Sequence, residues 1–205
     1  MKILKVILFL IVIFLSNGLQ ALRISDSLLI ELRNTTQNKE KILLLNSLSR
    51  TFMESNIDSA LFYSKKGLKE AIEIDYELGI AETAASIADF YILYDSLNKS
   101  KEYYFLAAEN FKKLENDFDL AQVYMLLGNI YLSQSNYSEA LKFYQLSQNL
   151  SENNNFNTIL PHIYNNTGII YTSLENGEKA LANLQKAYAG FNELGLLENV
   201  AVAVS

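Results

Sequence analysis

Few side chains in this sequence have the reactivity that catalysis or metal binding needs. The chain contains one histidine and no cysteine, whereas structural zinc sites are built from clusters of these two residue types. His162 follows Pro161 and precedes Ile163 and Tyr164, so no carboxylate stands beside it as a partner for acid–base catalysis. We therefore expect no metal site and no catalytic residue, and we expect His162 to face solvent or to line a groove.

Acidic side chains are more numerous, but their positions do not favour acid–base chemistry. The 23 Asp and Glu residues outnumber the 17 Lys and Arg residues, and the runs KEAIEIDYE and KKLENDFD fall where helices are expected to end. The 8 glycines are scattered, and none forms the phosphate-binding loop that ends in Lys-Ser/Thr. The sequence therefore predicts no enzyme and no cofactor, and its negative charge argues against nucleic acid as a partner.

The first 21 residues differ in character from the rest of the chain. Two lysines are followed by ten uninterrupted apolar residues, 6–15, and then by small and polar residues, which is the layout of a secretory signal peptide. The alternative is an uncleaved anchor, but the apolar run is shorter than the roughly 20 residues that span a bilayer. We predict a signal peptide over residues 1–21, cleaved after Gly18 or Ala21, and an exported protein that faces the periplasm or cell envelope.

Two segments of the chain carry the same residue types at the same spacing. GNIYLSQSNYSEALKFYQLSQ (128–148) and GIIYTSLENGEKALANLQKAY (168–188) align Gly, Tyr and two small residues at an offset of 40. Two further steps of 40 towards the amino terminus again meet mostly small residues at these places. Apolar positions follow a helical period on both sides of the polar stretches SQSN and LENG. Small residues at fixed places indicate close helix crossings, so we predict a repeated antiparallel helix hairpin.

This pattern resembles the tetratricopeptide repeat. The family has small, aromatic and alanine residues at fixed motif positions, and the matching residues here are Gly128, Tyr131, Ala140, Tyr144, Gly168, Tyr171, Ala180 and Ala187. The usual period of the family is about 34 residues, so the longer period indicates longer second helices and loops. The resemblance implies an all-α fold, a right-handed α-solenoid of stacked antiparallel helix hairpins with a 40-residue period.

The repeat register divides the remainder of the chain. Residues 22–40 are expected to form an amino-terminal capping helix and a linker, and residues 41–205 to form the solenoid. The predicted repeats lie at about 41–80, 81–120, 121–160 and 161–200, with a truncated fifth repeat from 201. Because the last residues are apolar where a solenoid needs a polar cap, we expect the sequence to be a fragment of a longer protein.

The first helix of each repeat is expected to line a concave surface, where solenoids bind their partners. By resemblance to the family, the inward motif positions are occupied by Asn46, Ser49, Glu82, Asp89, Gln122, Asn129, His162, Asn165 and Asn166. Family members that grip a terminal carboxylate use Lys and Arg in this lining, and this chain has neither there. The amides favour hydrogen bonds to an extended backbone or to a helix in the groove; alternatively, these residues are only a solvated face.

Two functions stay open from the sequence. One is a cell-envelope scaffold whose activity is to bind a protein or peptide in the groove. The other is the sensory input region of a membrane-bound two-component histidine kinase or transcriptional regulator, with its membrane tether and output domain beyond residue 205. For the second, DSLLIELRN and NIDSALFYSKKGLKEA resemble the opening of bacterial sensor kinases that contain these repeats. A hydrolase would have only generic Ser and Asp side chains and one His to work with.

Overall fold

The computed structural model describes residues 24–53 and 55–196. The predicted signal peptide and the predicted start of a fifth repeat lie outside the described residues. Within those two ranges the secondary structure is helical, without a strand. This confirms the all-α prediction. None of the described helices combines the length and the apolar composition needed to cross a membrane.

The helices follow one another as hairpins. Residues 24–34 form the first described helix, α1. The hairpins that follow are α2 (Asn38–Phe52) with α3 (Ile57–Glu73), α4 (Glu77–Leu93) with α5 (Leu97–Lys113), α6 (Asp117–Ser133) with α7 (Tyr137–Asn154), and α8 (Leu160–Ser173) with α9 (Gly177–Glu193). We call α2, α4, α6 and α8 the first helices and α3, α5, α7 and α9 the second helices. First helices begin at residues 38, 77, 117 and 160, that is 39, 40 and 43 residues apart, which is the predicted repeat.

The helices end in a common type of turn. Six non-glycine residues of the described chain have φ between 51° and 58°, at intervals of 20 residues: Asp75, Asp95, Glu115, Ser135, Asn155 and Glu175. A left-handed residue just beyond a helix lets the next backbone N–H reach back to a carbonyl of the last turn. Here the N–H of Asn136 donates to the carbonyl of Tyr131 at 2.9 Å. Equivalent bonds follow the other five residues, so the connections repeat as regularly as the helices do.

Asparagine begins several of the helices. Its side-chain oxygen accepts the backbone N–H three residues further on, which satisfies a donor that has no partner inside the helix. The capping residues are Asn56, Asn116, Asn136 and Asn176. The polar stretches that the sequence marks as turns therefore both stop one helix and start the next.

The described chain divides into two compact units, the first of which ends at Leu106. In it α2 packs on α3, α3 packs on α4, and α2 also contacts α4. Leu45, Leu48, Ile87 and Ala88 are fully buried between these helices. The core of this unit is therefore built from the apolar stripes of the paired helices, as the periodicity predicts.

The second unit begins at Ala107 and contains α6 to α9. The pairs α6–α7 and α8–α9 form its hairpins, and α7 contacts α8. Gly128 of α6 lies against the ring of Tyr144 of α7: a Cβ atom on Gly128 would stand 2.5 Å from a ring carbon. A Cβ atom on Gly168 would likewise stand 2.8 Å from Leu184. The repeated glycines therefore mark places where a large side chain of the second helix lies on the backbone of the first.

The other residues that carry the repeat pattern also lie at helix contacts. Ala140, Ala180 and Ala187 are buried. Tyr131 is half-buried and stacks on Phe143, with ring centroids 5.4 Å apart and an interplanar angle of 5°. The ammonium group of Lys179 lies 5.1 Å from the ring centroid of the half-buried Tyr171. In this part of the chain the spacing read from the sequence corresponds to contacts within each hairpin.

Candidate partner-binding face

A hydrogen bond between the two helices recurs in three hairpins, always across 15 residues. The pairs are Ser49–Ser64, Asp89–Tyr104 and Asn129–Tyr144. The fourth hairpin has Ile169 and Leu184 at the equivalent places. In the second and third hairpins the tyrosine hydroxyl donates to the side-chain oxygen of the first helix. One inward position of each first helix is thus fixed from beneath by the second helix.

The first helices of the second unit carry a connected set of amides. Tyr144 donates to Oδ1 of Asn129 at 2.8 Å, and Nδ2 of Asn166 donates to the same oxygen at 2.8 Å. Nδ2 of Asn165 donates to Oδ1 of Asn166 at 3.2 Å. Burial raises the pKa of Tyr144, so its hydroxyl keeps its proton at neutral pH. We call Asn129, Asn165 and Asn166 the amide chain; all three are partly exposed.

Two further predicted site residues flank the amide chain. Gln122 lies on α6 and is half-buried, and His162 lies in the first turn of α8 and is exposed. The ring of His162 stands edge-on to Phe191, with centroids 4.9 Å apart. Partial burial lowers the pKa of His162, so the ring is neutral at neutral pH. The face of α6 and α8 therefore brings together all five predicted site residues of this unit.

This face carries almost no formal charge. α8 contains no Asp, Glu, Lys or Arg, and the only charged residues of α6 are Asp117 and Asp119 in its first turn. The side chains available to a partner are therefore neutral hydrogen-bonding groups and apolar groups.

Apolar residues on the same face were missed by the sequence analysis, which selected polar side chains only. Met125 and Leu126 of α6 are half-buried, and Ile169 of α8 is 37% exposed. Each lies 40 residues from a member of the amide chain, so the repeat register was a signal that could have found them. The face is amphipathic, with amides and aliphatic side chains at alternating places.

In the first unit the structure corrects two predicted site residues. Asn46 is 4% exposed, and Ser49 is fully buried. Nδ2 of Asn46 donates to Glu82 at 3.5 Å, and its Oδ1 accepts the Ser86 hydroxyl at 3.0 Å. The prediction that Asn46 and Ser49 line a groove is wrong, because both side chains are used in helix contacts: Asn46 between α2 and α4, and Ser49 with Ser64 between α2 and α3.

The remaining predicted residues of this unit lie two turns apart on α4. Glu82 is half-buried and Asp89 is exposed. Loss of water around its carboxylate raises the pKa of Asp89, while the hydrogen bond from Tyr104 and the charge of Arg50 oppose that shift. The carboxylates of the first unit thus occupy places where the second unit has amides.

No group of three or more His, Asp and Glu side chains in the described ranges is placed to hold a metal ion. The face of α6 and α8 has instead the features of a binding surface: ordered amides, apolar neighbours and little charge. Together with the hairpin register, these features define a helical-repeat module. The model of the tetratricopeptide repeat family matches residues 119–193, and the chain is a tetratricopeptide repeat protein. No curated protein matches the sequence.

Several solved structures have the same fold. BtubC (BKLC) from P. vanneervenii is 18% identical with a TM-score of 0.71, and the alignment covers 79% of this chain and 67% of that one. A STAND signal-transduction ATPase with a tetratricopeptide repeat sensor, from Pyrococcus horikoshii, is 19% identical with a TM-score of 0.73, covering 83% and 26%. A Rap protein complexed with Competence and Sporulation Factor is 18% identical with a TM-score of 0.68, covering 79% and 46%.

These likenesses confirm the predicted fold class, the stacked helix hairpins of tetratricopeptide repeats. The chain spans 26% of the STAND protein and 46% of the Rap protein. At these identities the comparison carries the fold alone.

Proposed function

We propose that this protein is an interaction scaffold that binds a peptide or a partner helix on the face of α6 and α8. The observation that carries the proposal is the amide chain, which is ordered by Tyr144 from beneath and partly open to solvent. Ordered side chains lose little further conformational freedom when a partner binds. Such a surface is therefore suited to binding rather than to catalysis.

The hydrogen-bonding capacity of the amide chain fits a peptide group. Oδ1 of Asn129 accepts two hydrogen bonds, whereas its Nδ2 has no partner among the described residues. Nδ2 of Asn165 is used by Asn166, and its Oδ1 has no described partner. A backbone carbonyl and a backbone N–H are the groups that such a donor and acceptor would satisfy. Met125, Leu126 and Ile169 supply the apolar contacts that an amphipathic partner would bury.

Relatives in fold support this choice of function. The Rap protein mentioned above was solved with Competence and Sporulation Factor bound, which is a property of that protein. For this chain, binding on the first helices is our extension from the shared fold.

The test begins with the identity of the partner. Cross-linking in envelope fractions, followed by mass spectrometry, would name candidates, and titration calorimetry would give their Kd. We expect Asn165→Ala to weaken binding three- to tenfold, about 1 kcal/mol for a lost hydrogen bond, and Ile169→Ser to weaken it by a similar amount. Asn129 is unsuitable because its removal would leave the buried Tyr144 hydroxyl without an acceptor.

A matched control lies on the second helix. Gln145 of α7 is exposed, and its side chain contacts only Asn149. Gln145→Ala should leave Kd unchanged. Equal affinity of the wild type, Asn165→Ala and Ile169→Ser would show that the face of α6 and α8 is not the binding surface.

A second candidate function is the sensory input of a membrane-bound histidine kinase or transcriptional regulator. It is supported by the resemblance of residues 26–34 and 56–71 to repeat-containing sensor kinases. Envelope localisation is part of both proposals and depends on residues 1–21. An alkaline phosphatase fusion after residue 40 tests export, because the enzyme is active only outside the cytoplasm; no activity would contradict it. The reading frame beyond residue 205 tests the sensor: an apolar stretch of about 20 residues followed by a kinase domain is expected, and a stop codon would contradict it.

A further inference from the structure

A cavity of about 300 Å³ lies between α3 and α5 in the first unit. Its lining residues are Lys65, Leu68, Lys69, Ile72, Glu73 and Tyr103, and we call it the α3–α5 pocket. The side of α3 that packs on other helices carries Ala60, Ser64 and Ala71, which are all buried. The pocket therefore belongs to the second helices and is separate from the face of α6 and α8.

The floor of the pocket is apolar and its rim is basic. Leu68 is 9% exposed and Ile72 is 55% exposed. Lys69 is 3.7 Å from Glu73, so these two charges offset each other. Lys65 has no ion-pair partner among the described residues. The pocket thus presents one uncompensated ammonium group beside an aliphatic surface.

Tyr103 completes the rim. Its ring stacks on Tyr91, with centroids 5.6 Å apart and an interplanar angle of 20°, which holds the ring in place. No hydrogen bond of its hydroxyl occurs within the described residues, so the hydroxyl is free to donate. An ammonium group and a phenol hydroxyl are both donors to a carboxylate.

The apolar surface continues along α3 beyond the pocket. Phe62 is 60% exposed and lies on the same helical stripe as Lys65, Lys69 and Ile72, at spacings of three or four residues. A single small molecule in a cavity at the lower size limit of ligand pockets would leave Phe62 uncovered. A segment of chain with more than one apolar side chain would cover both.

We propose that the α3–α5 pocket and Phe62 form a second interaction site, which binds an acidic, apolar segment of a partner protein. An apolar side chain of that segment lies on Leu68 and Ile72, and a neighbouring carboxylate accepts hydrogen bonds from Lys65 and Tyr103. Charge complementarity selects an acidic partner here, whereas the face of α6 and α8 carries neutral amides. The two surfaces therefore bind different chemistry.

The experiment uses the full chain and defined probes, followed by NMR chemical shifts of Leu68, Ile72 and Tyr103. The probes are the capped peptide Glu-Leu-Glu-Glu-Phe-Leu-Glu, its counterpart with Gln in place of every Glu, and phenylacetate. We expect the acidic peptide to bind two- to fivefold more tightly than the Gln peptide, as for an exposed charge pair. Lys65→Gln should abolish that difference, and Phe62→Ser should weaken the peptide but not phenylacetate.

Lys66→Gln is the matched control, because Lys66 is exposed on the same turn but does not line the pocket. The proposal is overturned if the three residues show no saturable shifts, or if Lys66→Gln acts as strongly as Lys65→Gln. Tighter binding of phenylacetate than of the acidic peptide would overturn the assignment to a protein partner. Asn165→Ala should leave all these results unchanged, which separates this test from that of the proposed function.

Discussion

Replacement of Gly128 by alanine tests the reason for the repeated glycine. Two effects of opposite sign act at this position. Alanine is better than glycine in a helix by about 1 kcal/mol, so without other contacts the substitution would stabilise the fold. The new methyl group, however, would stand 2.5 and 2.6 Å from two ring carbons of Tyr144.

The structure indicates that the second effect is larger. Tyr144 is 1% exposed, and its hydroxyl is held by Asn129, so the ring cannot swing aside without breaking that bond. Overpacking of this kind costs about 2–3 kcal/mol, which leaves a net loss of about 1–2 kcal/mol after the gain in helix propensity. For a chain of this size each kcal/mol corresponds to about 2–4 °C in Tm.

Urea and thermal denaturation followed by circular dichroism would measure the change. Gly177→Ala is the matched control, because a Cβ atom on Gly177 has nothing within 4 Å, and it should be neutral or stabilising. In the Tyr144→Leu background the penalty of Gly128→Ala should shrink. If Gly128→Ala raises Tm as Gly177→Ala does, the packing explanation of the spacing is wrong.

The remaining predictions concern single buried or strained groups. Ser100 is fully buried and its hydroxyl has no described hydrogen-bond partner, so Ser100→Ala should raise the free energy of unfolding by about 1 kcal/mol in urea; a loss would show that the hydroxyl is satisfied. The pKa of Asp89 is raised above 3.8, so its protonated form favours folding, and this contribution is present below pH 3.8 and is lost as the pH rises through the raised pKa. Asp89→Asn should remove that loss, giving a flatter Tm profile in mildly acidic buffers; an unchanged profile would contradict the assignment. Glu175 has φ of 56°, and Glu175→Gly should raise Tm by about 0.5–1 kcal/mol equivalent, because glycine adopts this conformation without strain; a lowered Tm would refute it.

The sequence predicted the hairpins because their register depends on local features. Helix period, small residues at crossings and polar turns each act within one hairpin, so Gly128, Ala140 and their counterparts 40 residues later could be placed without coordinates. The left-handed turn residues could not be located in this way, since Asp, Glu and Ser have no obvious preference for positive φ.

The candidate site was predicted less well, because burial depends on the neighbouring helix. Register gives the direction in which Asn46 points, but α4 covers it with Glu82 and Ser86. Asn165 has the same direction and stays accessible on α8. Helix direction alone cannot distinguish these two cases, and the apolar part of the face was overlooked because only hydrogen-bonding residues were sought.

The bond across 15 residues has a consequence for how such a chain can change in length. Both partners belong to the same pair of helices, so duplication or deletion of a whole forty-residue block moves donor and acceptor together. Evolution can therefore add or lose complete blocks without having to reinvent these links, while a gain or loss of a few residues inside a block would separate the two halves of the link.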